Sequence, residues 1–263
     1  MARRRKASPT LCFFSTVESL EGMARCIPQA RPNLVLWGDS HAAALATGFE
    51  AAGFATGLFG GPGCGPLINE GWALSAECAN QNRHVMQALR DNPPDVLVLH
   101  AYWRNKRDLM VLLPQTIRVL RRDLPQTRLV VLGGVPYWIP SLPERIVAAG
   151  VMGRHDAMVA AQLDGVDKAD DKLALLLGDL IAAGEVSLVR LTGILCRDGA
   201  CRAFAGTMPF AYDYGHLTRE GAAELVRDLQ AKRRISGRRP GHSRRLRRRG
   251  SGCSVCAWWA GTG

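Results

Sequence analysis

The chain has 263 residues, of which 47% are hydrophobic and 22% charged. That supplies one large domain with a real core, and it excludes a disordered, collagen-like or coiled-coil chain. No apolar run reaches roughly 18 residues, so no transmembrane helix is expected. The net charge of +11 is carried by the ends: 232–263 holds ten Lys/Arg and no acid, and Arg3, Arg4, Arg5 and Lys6 add four more. Residues 7–231 keep 20 bases against 23 acids. A mildly acidic body gives no reason to expect a nucleic-acid-binding core.

In chain order, Asn33–Trp37 is a short apolar run ending in Gly-Asp-Ser-His, which reads as a buried strand entering a loop. The alanine-rich stretch Ala42–Ala52 reads as a helix and Phe54–Phe59 as a second strand. The glycine loop Gly60–Pro66 follows. Residues 76–90 read as helix, Asp95–His100 as a third strand, Leu109–Asp123 as helix, and Arg128–Leu132 as a fourth strand ended by Gly133-Gly134-Val135-Pro136. Pro143–Ala149 and Ala157–Ala183 read as helical, the latter with an interruption near Gly165. Val186–Leu191 is the fifth strand, and Thr218–Ala231 the last helix, with Thr218 as its N-cap. Strands alternating with helices predict right-handed βαβ units: an α/β three-layer sandwich around a five-stranded parallel sheet. From Arg233 the apolar period is lost, and the basic tail is expected to be disordered.

Two cysteine pairs have the spacing of local disulfides. Cys196 and Cys201 enclose an Asp-Gly turn, and Cys64 and Cys78 flank one polar loop. Cys12 with Cys26 is a third candidate. Such pairs point to an oxidising compartment such as the periplasm, the alternative being reduced thiols in the cytosol. The stretch after Met1–Lys6 acquires Ser, Glu and Gly too early for a secretory signal. Either the true start lies upstream, or this piece belongs to a membrane-embedded part. Cys253 and Cys256 have the spacing of half a zinc site with no second pair nearby, so neither metal nor cofactor is expected.

In open parallel sheets, reactive groups gather beyond the carboxyl ends of the strands. There Ser40 would present its hydroxyl at a helix N-terminus, where its own N–H can stabilise an oxyanion. Asp213 and His216, just before the last helix, have a spacing that lets the carboxylate hold one imidazole nitrogen. The other nitrogen then faces outward to take a proton from a serine, which is a poor nucleophile without a base. The glycine-rich loop can approach a substrate closely.

The chain resembles the SGNH/GDSL hydrolase superfamily in GDSH after the first strand and DYGHLT before the last helix. Over 30–231 it is similar to one branch, the SGNH domain at the C-terminus of bacterial membrane acyltransferases of the acyltransferase-3 type. The similarity lies in WGDSHAAAL, in Gly63–Leu67, in the aromatic pair of Ala101–Trp103, in GGVP, in the close cysteine pair, and in DxxHLT followed by Gly-Ala. The resemblance implies a flavodoxin-like fold, with 1–29 as a partly disordered lead-in and 232–263 as tail. It implies serine-dependent O-acyl transfer or ester hydrolysis, of acetyl above all, on cell-envelope polysaccharide in or facing the periplasm. Ser40 would be the nucleophile, His216 the base and Asp213 its orienting carboxylate. Gly63, with Gly61 as a substitute, would join the Ser40 N–H in the oxyanion hole. The family's Gly-x-Asn-Asp after the third strand is missing. Asn105 is nearby but out of step, and Asn105 or the Trp103 indole N–H would replace the absent donor. His41 and Trp103 are candidate substrate contacts; His41 could as readily cap the following helix or line the pocket, and Trp103 reads as pocket wall or packing ahead of a catalytic donor. The partners implied are an acylated glycan and a membrane acyltransferase domain or protein. The alternative is an inactive glycan-binding module that presents substrate to such an acyltransferase.

Overall fold

The computed structural model describes residues 11–13, 23, 25–68, 74–106, 108–232 and 234–235. Six parallel strands form the central sheet: β1 (Leu11–Phe13), β2 (Asn33–Gly38), β3 (Ala55–Gly60), β4 (Val96–His100), β5 (Arg128–Leu132) and, after the short β6 (Met158–Ala160), β7 (Ser187–Val189). Their spatial order is β1-β3-β2-β4-β5-β7. β2 and β4 are buried along their whole length, as a parallel sheet covered on both faces requires.

Alternation along the strands splits the core in two. Leu34, Leu36, Leu58, Val98 and Val130 face one side, where α1 (Ser40–Ala51), α4 (Leu142–Ala148), the short α6 (Thr192–Leu195) and α7 (Arg219–Ala231) cover them. Val35, Trp37, Phe59, Leu97, Leu99 and Val131 face the other, under α2 (Ala76–Asp91), α3 (Leu113–Asp123) and α5 (Asp164–Ala182). This is the three-layer α/β/α sandwich expected from the alternating pattern. Thr218 caps α7 as expected, its hydroxyl accepting from Gly221 N–H at 3.0 Å.

Three details differ from the sequence reading. The parallel sheet has six strands, not five, because Leu11–Phe13 pairs with Leu58–Gly60 at the edge. That strand lies in the segment read as a lead-in. The long helix read over 157–183 is β6 followed by α5. In Met158–Ala160 only Val159 is buried, which is strand alternation, and the segment pairs antiparallel with Ala200–Arg202. Three residues are too few for that period to be seen against helix-favouring alanines. The helix read from Leu109 is a 3-10 turn over Leu109–Leu112 and an α-helix only from Leu113, with Pro114 in its first turn, where its missing N–H costs nothing.

Disulfides join Cys12 to Cys26, Cys64 to Cys78 and Cys196 to Cys201, with Cα separations of 5.7, 5.5 and 4.0 Å. Past Ile235, the basic tail and Cys253–Cys256 lie outside the described residues. No helix among the described residues is long and apolar enough to cross a membrane.

Candidate active site

β2 ends in Gly38, Asp39 caps the next helix by accepting from His41 N–H at 3.0 Å, and Ser40 is the first residue of α1. A first-turn N–H has no partner within its own helix, so the Ser40 N–H points out of the N-terminus together with its hydroxyl. The segment Asp213–His216 arrives just before α7. Asp213 Oδ1 accepts from Gly215 N–H at 2.9 Å and from His216 N–H at 2.8 Å, which folds the turn. Its Oδ2 lies 2.7 Å from His216 Nδ1, and His216 Nε2 lies 2.8 Å from Ser40 Oγ. With the proton on Nδ1, the imidazole donates to Asp213 and accepts from the Ser40 hydroxyl. Ser40 and His216, 176 residues apart in sequence, thus join Asp213 in one continuous hydrogen-bonded line. Burial pushes the Asp213 carboxyl up. The Gly215 and His216 N–H groups and the imidazole outweigh it, so the carboxyl lies below its ordinary value.

His41 is only 3% exposed. Its ring stacks on His216 at 4.3 Å and on Tyr102 at 4.8 Å. Burial drives its pKa down to about 3, so a neutral ring backs the His216 imidazole. Of the two readings of His41, that burial fits packing beneath the pocket rather than contact with substrate. Trp103 takes the packing alternative. It is 0% exposed and its indole N–H donates to Leu132 C=O at 2.7 Å, so it is neither a free oxyanion donor nor a substrate contact.

Gly63 is an exposed residue of the tight turn closed by Cys64 N–H to Gly61 C=O, and its φ of +66° is one that glycine adopts without strain. The turn begins beside Ser40, since Gly60 pairs with Gly38 in register. Asn105 ends the 3-10 turn Trp103–Asn105 and is exposed on the wall of a cleft it shares with Tyr102, Tyr137 and Tyr214.

Two features were not anticipated. Asp39 forms a buried ion pair with Lys106, Oδ2 to Nζ at 3.0 Å, with the side chains 2% and 8% exposed. The same Oδ2 accepts from Tyr102 N–H at 3.0 Å. Burial raises the Asp39 carboxyl, but Lys106, Tyr102 N–H and His41 hold it below its ordinary value. The second feature is the tyrosine cluster. Tyr137 and Tyr214 lie 5.0 Å apart, and Tyr102 lies 5.8 and 5.9 Å from them. Tyr214 joins it to the reactive line, 5.2 Å from the His216 ring. A lysine in Trp-Arg-Asn-Lys-Arg and tyrosines in three distant loops carry no periodic signal, so only the fold brings them together. Among the described residues, no group of three or more His, Cys, Asp or Glu side chains could hold a metal ion.

A family model for the SGNH domain (fused to AT3 domains) matches residues 11–231. The periplasmic domain of a lipopolysaccharide acetyltransferase from Salmonella ser. Paratyphi A is 21% identical. Its alignment covers 86% of this chain and 92% of that one, with a TM-score of 0.68. A putative platelet activating factor protein from Streptococcus pneumonia is 15% identical over 81% of this chain and 90% of that one, with a TM-score of 0.52. At these identities the likeness is one of fold. Among curated proteins, none matches the sequence.

Proposed function

The chain belongs to the SGNH domains that are fused to AT3 domains, and from that premise we propose that it transfers or hydrolyses an O-acyl group, of acetyl size, on a carbohydrate hydroxyl. The observation that carries this reading is the unbroken line from Ser40 Oγ through His216 to Asp213, at 2.8 and 2.7 Å. Ser40 Oγ attacks the acyl carbonyl while its proton passes to His216 Nε2. The oxyanion is met by the Ser40 N–H and by an N–H of the glycine turn, Gly63 in this assignment. Asn105 reaches in from the cleft wall as the third donor. The tetrahedral adduct collapses, the sugar oxygen leaves with the proton from His216, and the acyl group stays on Ser40. Water then gives an esterase and a second sugar hydroxyl a transferase. Membership of a family fused to AT3 domains favours a membrane acyltransferase as partner, and the three disulfides favour the periplasmic side.

The test is hydrolysis of p-nitrophenyl acetate by the purified chain, with a serine-reactive phosphonate as a second probe. Turnover that disappears in Ser40→Ala, and labelling of the native chain at Ser40, are the expected results. Undiminished turnover in a folded Ser40→Ala protein would place the nucleophile elsewhere. No turnover with retained glycan binding would favour a module that only presents substrate.

A further inference from the structure

Beside His216 the surface opens into a cleft of about 780 Å³, within the range of small-molecule sites. Tyr102, Tyr137 and Tyr214 line it, with Arg104, Asn105 and the half-exposed Ile139. Tyrosines are flat, amphipathic and lose few rotamers on binding, which suits a ring with one apolar face and a hydroxylated rim. Gln162, also on the wall, is already used: it accepts from Ile139 N–H at 2.8 Å and donates to Ile139 C=O at 3.1 Å, fixing that loop. Its amide is therefore not the group that reads a ligand.

Arg104 is the cation of this wall, with the Tyr102 hydroxyl as a hydrogen-bond partner. Its guanidinium lies 4.5 Å over the Tyr137 ring. It packs against Gly165, where any Cβ would run into Arg104 Nε, so the glycine makes the room in which the guanidinium sits. Among the described residues no carboxylate pairs with Arg104. The acid on this wall, Asp164, is paired with Lys168 at 2.9 Å. A planar cation held on an aromatic face, facing a cleft and without an anion of its own, is the arrangement that binds a carboxylate or phosphate through two parallel N–H bonds.

We infer that this cleft is a subsite for a sugar ring that carries a negative charge, with the charge held by Arg104 and the ring placed among Tyr102, Tyr137 and Tyr214. The inference rests on the reading that the substrate is a carbohydrate, and it adds that the substrate is an acidic one. The acyl-bearing hydroxyl would then lie on the Tyr214 side of the ring, toward His216 and Ser40. The shared chemistry is an anionic substituent on a sugar, whether a uronic carboxylate or a phosphate ester.

The experiment is calorimetric binding of three probes to the full chain: tetragalacturonate, the same oligosaccharide fully methyl-esterified, and a phosphorylated mannotetraose. The methyl ester keeps the stereochemistry and removes only the charge. An acidic probe is expected to bind at least about tenfold more tightly than the methyl ester, the worth of one partly exposed charge-assisted contact. Preference for tetragalacturonate identifies a carboxylate and preference for the phosphorylated probe a phosphate. The advantage should shrink as NaCl is raised from 20 to 300 mM, a readout that needs no variant. It should vanish in Arg104→Gln and persist in Arg227→Gln on the far helix α7. Equal or undetectable binding of all three probes overturns the inference, as does a preference untouched by both salt and Arg104→Gln. Ester turnover read with p-nitrophenyl acetate is a separate measurement. Turnover without charge preference fails the inference alone, and charge preference without turnover fails the proposed chemistry alone.

Discussion

Lys106→Met separates the buried ion pair from the reactive residues. Both partners are almost fully enclosed and 3.0 Å apart. Removing one partner of such a pair strands a buried charge and costs ~3–5 kcal/mol. Here Asp39 would keep two backbone donors, Tyr102 N–H and His41 N–H, so the low end, about 3 kcal/mol at pH 7, is the expected loss. For a domain of this size that lowers Tm by roughly 6–12 °C. Acid should narrow the gap. In the native chain the Asp39 carboxyl lies below its ordinary value of 3.8, so it adds stability above that pH and loses it as pH falls through the folded value. Without Lys106 the burial that pushes this carboxyl up is less opposed. The folded variant then takes up a proton at a higher pH than the native chain does, and its deficit shrinks between pH 7 and pH 4. Urea unfolding of both proteins at several pH values measures this directly. Asp39→Asn in the Lys106→Met background should recover part of the loss, because asparagine still caps α1 and no lone charge remains. Native-like stability of Lys106→Met at pH 7, or a deficit that does not change with pH, would refute the argument.

Other outcomes follow from the same geometry. Ser40→Ala and His216→Ala should each lower kcat by at least about 10³-fold, with the double variant little worse than either and Asp213→Asn milder or equal; additive losses in a steady-state ester assay would count against a single reacting unit. Burial raises the Asp170 carboxyl to about 6, so its folded form holds a proton that the unfolded form has lost. Its contribution therefore favours folding at low pH and falls away between about pH 4 and pH 6, by up to ~3 kcal/mol. Asp170→Asn, which can still accept from Gly134 N–H, should flatten that slope in urea unfolding from pH 4 to 7, and an unchanged slope would count against it. Replacing Cys64 and Cys78 by alanine should cost about 3 kcal/mol, and replacing Cys196 and Cys201 about 2 kcal/mol, because the closed loops span 14 and 5 residues. Chemical denaturation gives both values, and equal losses would show that loop length is not what sets them.

The sandwich was legible because its strands are apolar on both faces and its helices fill the intervals. Asn33–Trp37, Asp95–His100 and Arg128–Leu132 each lie within a residue of the observed strands. What escaped is short or borrowed. β1 is three residues whose strand state comes from β3 beside it, and β6 is three residues held by Ala200–Arg202. Neither is long enough to display a period. At the site, a serine, a carboxylate and an imidazole in that order beyond strand ends single out Ser40, Asp213 and His216, and the fold brings the three into hydrogen-bond reach. The sequence leaves Trp103 open between donor and packing, because an aromatic beside a strand end looks the same whether its N–H faces a substrate or, as here, Leu132 C=O.

The two aspartates of the site show how one residue type is given two electrostatic roles. Asp39 and Asp213 each gather several donors and so fix a loop. Asp39 binds His41 N–H, Tyr102 N–H and Lys106, tying the start of α1 to the loop after β4. Asp213 binds Gly215 N–H, His216 N–H and the imidazole. The difference is the cation. Lys106 neutralises Asp39, so the carboxylate next to Ser40 in sequence repels an oxyanion far less than a lone charge would. Asp213 has no lysine or arginine pairing it among the described residues. In the proposed mechanism its negative charge faces Nδ1 when the Ser40 proton reaches Nε2. His41, stacked on the same imidazole, is kept neutral by burial and adds no competing positive charge. A field negative behind His216 and balanced beside Ser40 is set before any substrate arrives, which is the preorganisation that the proposed acyl transfer through Ser40 needs. Exchanging these environments, with a free acid beside Ser40 and a lysine behind His216, would leave Ser40, His216 and Asp213 in place and oppose each charge of the proposed reaction as it formed.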